Sequence, residues 1–76
     1  MLKPRDQQLA ELIATTEAGV EALARRIGSS VEHATAQDAP AHAALYEHVQ
    51  GCLTAAAKQL RRAHEVMLNG DAEDYA

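Results

Sequence analysis

The apolar residues of this chain recur at alternating spacings of three and four, in two runs divided by a short proline-containing joint. In the first run, Leu9, Ile13, Thr16, Val20, Leu23 and Ile27 are spaced 4, 3, 4, 3 and 4. In the second, Tyr46, Val49, Leu53, Ala56, Leu60, Ala63 and Met67 are spaced 3, 4, 3, 4, 3 and 4. That period keeps one stripe of an α-helix facing a neighbouring helix. A strand would need alternation at every second residue, and no such run is present. Ala occupies 17 of the 76 positions, and Leu, Glu, Gln and Arg add to the helix-forming background.

The helix limits follow from local chemistry. Pro4 suits a first helical turn, where its missing N–H costs nothing. Gly28 offers a C-cap, with Arg25 and Arg26 placed at the negative end of the helix dipole. Glu21 and Arg25 form an i,i+4 pair. Ser29 and Glu32 read as a capping box that restarts a short helix through about Ala36. One unbroken helix from 4 to 36 is the alternative; Gly28-Ser29-Ser30 is a poor helix interior, so a break near 28–30 is the expectation. The joint spans Thr35 to Pro40, with Asp38 as a candidate cap. The second helix runs from Pro40 to about Leu68 and stops at Asn69-Gly70, with Gly70 read as a left-handed cap. Residues 1–70 thus form a single domain, and 71–76 an acidic, frayed tail.

Two long helices joined by a short loop pack as an antiparallel hairpin. Arg61 and Arg62 then come level with Glu11 and Glu17, and Arg25 and Arg26 with Glu47. One partner helix does not cover the apolar face of the second helix, which widens to Leu45, Cys52 and Leu68; Leu12 widens the first. The surplus calls for a second chain. The expected architecture is all-α, a hairpin dimerising into a four-helix bundle, with another helical protein as the alternative partner. The interface is expected on Leu9, Ile13, Val20, Leu23, Ile27, Leu45, Tyr46, Val49, Leu53, Leu60 and Met67. Gly19 and Gly51 stand inside the helices, where close approach of a partner backbone would explain one of them. Tyr46 serves equally as a partner-facing anchor or as a plug at the loop end.

Charge narrows the function. Seven basic and 11 acidic residues give a net charge of −4, against the basic face a general nucleic-acid binder needs. Lys58, Arg61 and Arg62 are the one candidate nucleic-acid patch, set against their plainer role as a solvated face. No apolar stretch reaches the length of a membrane span, and no signal peptide follows the N-terminal basic residues. A single cysteine excludes a disulfide scaffold and suits a reducing compartment, so the cytoplasm is the expected location.

Catalytic and metal chemistry find little support. His48 and Cys52 stand at i,i+4, as do Asp38 and His42, but a zinc site needs three or four converging ligands. Neither CxxC nor HExxH is present. Cys52 lies mid-helix, away from the N-terminal dipole that would activate its thiol. Ser29, Ser30, His33 and Asp38 supply the elements of a hydrolase triad at positions that caps and turns already explain. No catalytic residue, metal or cofactor is expected. The layout is similar in kind to small helical-hairpin co-chaperones of bacterial type III secretion, to plasmid-encoded hairpin dimers that bind RNA, and to small phage proteins that block a host factor. That likeness is one of hairpin shape and assigns no functional positions. The sequence reads as a small protein-binding adaptor, regulator or chaperone-like subunit that acts through helix packing; the alternatives are a nucleic-acid-binding regulator using Lys58, Arg61 and Arg62 and, after it, a metal-binding helical protein using His48 and Cys52.

Overall fold

A computed structural model describes residues 3–70. Helix α1 runs Pro4–Ala36 and helix α2 runs Pro40–Asn69, packed against each other as an antiparallel hairpin. The expected acidic tail, 71–76, lies outside the described residues.

Each helix begins at a proline. Lys3 and Ala39 are the N-caps, neither with a side-chain capping bond, and their carbonyls accept from Gln7 N–H and Ala43 N–H at 2.9 and 3.0 Å. The Asp38 side chain is therefore not the cap of α2. Asp38 instead makes the turn, as a non-glycine residue at φ 54°. Its N–H donates to the Thr35 carbonyl at 3.1 Å, and Ala39 N–H donates to the Ala34 carbonyl at 2.9 Å. This pair of bonds is the Schellman arrangement. An L side chain in the left-handed region costs about 1–2 kcal/mol, which glycine avoids. Asp38→Gly should therefore raise the thermal midpoint by a few degrees, part of the gain being lost to the freer unfolded chain. A melt followed by circular dichroism checks this.

The break expected near 28–30 is absent, because α1 is helical throughout. Ser29 and Ser30 turn their hydroxyls back to the carbonyls of Arg25 and Arg26, at 3.4 Å in each case. Serine thereby satisfies its own polar group inside the helix. Gly28 is not a C-cap. It faces α2, where the Gln50 amide Nε2 donates to the Ala24 carbonyl at 3.3 Å. A Cβ at position 28 would stand 2.7 Å from that nitrogen. The glycine thus leaves room for a polar side chain crossing between the helices. Gly70 is also not a left-handed cap, since its backbone is extended at φ −81° and its N–H donates to the Val66 carbonyl.

The intrachain seam is made of two rows on each helix. On α1, Ala10, Glu17, Ala24 and Val31 form a mostly small row beside Ile13, Val20, Ile27 and Ala34. On α2, Ala43, Gln50, Ala57 and His64 lie beside Tyr46, Leu53, Leu60 and Met67. The only buried residues among those described are alanines, at positions 10, 24, 34 and 57. Small residues let two helices approach closely, but bury little apolar area. The result is a thin rod of 54 × 20 × 12 Å. Its radius of gyration is 17.0 Å, against about 11 Å for a compact chain of this length. Its accessible surface is 5971 Å², against about 4,500 Å² for a folded monomer of this mass.

Candidate interaction surface

The two long sides of the hairpin differ in chemistry. On one side the Arg61 guanidinium crosses from α2 to α1, with Nη2 donating to Glu21 at 2.8 Å and Nε to Glu17 at 3.3 Å. The hydrogen bonds it donates to Glu17 and then Glu21, with their negative charge, raise Arg61 above its already high ordinary pKa. Glu21 therefore reaches across the hairpin rather than along α1 to Arg25. An open groove on the same side is lined by Glu21, Ala24, Arg25, Thr54, Lys58 and Arg61 over the buried Ala57. A second shallow depression by the loop takes in Thr35, Asp38 and Glu47. This is the charged side.

These contacts set the rotation of both helices. Glu21 follows Val20 and Arg61 follows Leu60, so the position just after each large-row residue points to the charged side. The position just before each small-row residue must then point to the opposite side. That outer row reads Leu9, Thr16, Leu23 and Ser30 on α1, and His42, Val49, Ala56 and Ala63 on α2. One step further round come Leu12 and Gly19 on α1, with Arg5, Arg26 and His33 toward its ends, and Leu45, Cys52, Gln59 and Val66 on α2. Leu12 is 58% exposed and Leu45 56%, and Leu9, Leu23, Val49 and Val66 are also exposed. Among the described residues of the two helices, no Asp or Glu occupies these positions. Of the exposed large apolar residues, Leu68 alone lies on the charged side.

The expected interface residues therefore fall into two sets. Ile13, Val20, Ile27, Tyr46, Leu53, Leu60 and Met67 are half-buried in the hairpin seam. Leu9, Leu23, Leu45 and Val49 are exposed beside it. Tyr46 lies near the loop end of the seam, its ring 6.2 Å from that of His42 and tilted by 54°. Leu12, Cys52 and Leu68, expected to widen the stripes, are exposed in the hairpin. Val66 and Gln50 escaped the sequence reading. Val66 breaks the alternating spacing, and nothing in sequence distinguishes an inward glutamine from a solvated one.

The remaining candidates stay apart. His48 and Cys52 are both exposed, and no group of three or more His, Cys, Asp or Glu side chains converges among the described residues. Ser29, Ser30 and Thr35 spend their hydroxyls on carbonyls four residues back. Of the basic patch, Arg61 is held by two carboxylates, while Lys58 and Arg62 lie exposed beside it. Replacing Arg61 by Ala should lower the thermal midpoint only slightly, since exposed ion pairs contribute little. The difference should shrink further at about 1 M salt, which screens such pairs. Among the described residues, no helix is long and apolar enough to cross a membrane.

Fold and surface together define an antiparallel helical hairpin with one charged and one apolar side. Comparison with family models, with curated proteins and with solved structures returns no match.

Proposed function

We propose that this protein is a non-catalytic adaptor or regulatory subunit that binds protein by helix packing, its hairpin completed to a four-helix bundle by a second copy or covered by another helical chain. The observation that carries the reading is the apolar side, where Leu9, Leu12, Leu23, Leu45, Val49 and Val66 stand exposed along both helices. An exposed apolar surface of this extent marks an interaction site. Helix–helix contact is the natural mode, because residues at three- and four-residue spacing enter the grooves of a facing helix. Location in the cytoplasm suits the single free thiol at Cys52.

The test is native mass spectrometry of the tagged protein drawn gently from its source cells, beside a Leu12→Asp, Leu45→Asp double variant. The reading expects protein in complex, either a second copy or another chain, with the variant released as a folded monomer. A wild-type protein that emerges alone and monomeric at its cellular concentration would refute it.

A further inference from the structure

The apolar stripes do not point at the neighbouring helix. In the hairpin, each helix faces its neighbour with the small and large rows. The alternating stripe of the sequence is instead the large row with the outer row, such as Ile13 with Leu9 on α1 and Leu53 with Val49 on α2. At 100° per residue, the axis of that stripe is turned about 50° from the neighbouring helix. Both helices turn toward the same side, as the Glu21–Arg61 contact requires. A two-helix coiled coil would need no turn. A square of four helices needs each stripe to point along its diagonal, about 45° from either neighbour.

From this rotation we infer that the apolar side is closed by a second copy of this hairpin, stacked face to face so that the stripes of all four helices meet in one core. The inference rests on the protein-binding reading above and names the partner. Three further observations favour a copy over a single added helix. The broad side measures 54 × 20 Å, an area on the order of 1,000 Å², and a stable interface needs about 800 Å² from each partner. The side carries no carboxylate on either helix among the described residues, so two copies of a chain with net charge −4 meet there without burying their acidic groups. Arg5 and Arg26 are its permanent charges, on stems long enough to carry the charge to the rim, and His33 and His42 lie toward its loop end. Finally, among the described residues no side chain larger than alanine is buried in the single hairpin. Ile13, Val20, Leu53 and Leu60, half-buried now, become the core of the pair.

Two native residues report on the contact. Gly19 lies on the apolar side and Gly51 on the charged side, and a Cβ at either meets nothing within 4 Å of the single hairpin. In an isolated hairpin both Gly→Ala changes stabilise alike, each raising the midpoint by about 4–8 °C. With a second hairpin on the apolar side, Gly51→Ala keeps that gain and Gly19→Ala loses some or all of it. Cys52, exposed in the hairpin, lies on the same side, so its alkylation by a maleimide should slow at least tenfold between dilute and concentrated protein.

The deciding experiment is sedimentation equilibrium of the full chain from about 1 to 200 µM, with Leu12→Asp and Leu45→Asp as single variants and circular dichroism confirming helix. A dimer is expected, weakened at least 100-fold by either variant, since a symmetric interface feels each substitution twice. A helical chain that stays monomeric at 200 µM overturns the inference. So does a trimer, or a dimer that neither variant weakens. A monomer that instead retains another protein, lost on Leu12→Asp, overturns the second copy but leaves the protein-binding reading standing; a monomer that retains nothing removes both.

Discussion

Ala57→Leu should lower the thermal midpoint by roughly 10 °C, while Ala55→Leu, two residues away, should leave it unchanged or slightly higher. Ala57 is 5% exposed and lines a groove between the helices together with the buried Ala24. Three added carbons have no space there without parting the helices, and overpacking of this kind costs about 1–3 kcal/mol. For a domain of this size each kcal/mol is about 4–8 °C. Ala55 is exposed on the same helix, so Leu there alters little beyond a near-neutral change in helix propensity. Parallel melts of the two variants give the contrast. Equal shifts would mean that the alanine rows do not set the helix spacing. The stripe read from sequence runs through Ala56 instead, so this pair also tests the rotation on which the apolar side depends.

Element type and pairing were legible in the sequence, because period, proline placement and helix-forming composition all act locally. Three-four spacing requires helix, and Pro4 and Pro40 mark both starts. The errors came where a side chain's partner is distant in sequence or where it repairs its own backbone. Gly28 looks like a stop until Gln50, 22 residues on, is seen beside it. Ser29 and Ser30 look like a new start until their hydroxyls are seen bonded to the turn below. Asp38 takes the left-handed turn that the sequence reading assigned to glycines.

The candidate surface was legible in part, for a more general reason. Periodicity finds the direction of greatest hydrophobicity on each helix, and this need not be the direction of the nearest helix. Leu9, Leu23 and Val49 belong to the helix-facing stripe and to the expected interface, and they stand on the open side of the hairpin. The buried row is Ala10, Ala24 and Ala57, which a hydrophobicity pattern discounts because alanine is half a core residue and half a helix filler. The gap between the two directions is about one row of side chains. It came into view only when the Arg61 contacts fixed how each helix is turned.

A hundredfold dilution should lower the thermal midpoint by about 10 °C. Paired hairpins that melt to two unfolded chains gain entropy from dissociation, so their midpoint falls as the protein is diluted. An unfolding enthalpy of about 0.7 kcal/mol per residue, summed over both chains, sets the size of the shift. A chain that folds alone shows none, whatever its stability. Leu12→Asp separates the two cases within one protein: Leu12 is 58% exposed in the single hairpin, so an acid there costs an isolated monomer little. In a pair it places a carboxylate in the new core, which is costly without a partner charge. The variant should therefore melt at a lower temperature, with a midpoint that no longer depends on concentration. A wild-type midpoint that holds steady from about 1 to 100 µM would leave this thin rod stable on its alanine seam alone, and the leucines of its open side would need another occupant.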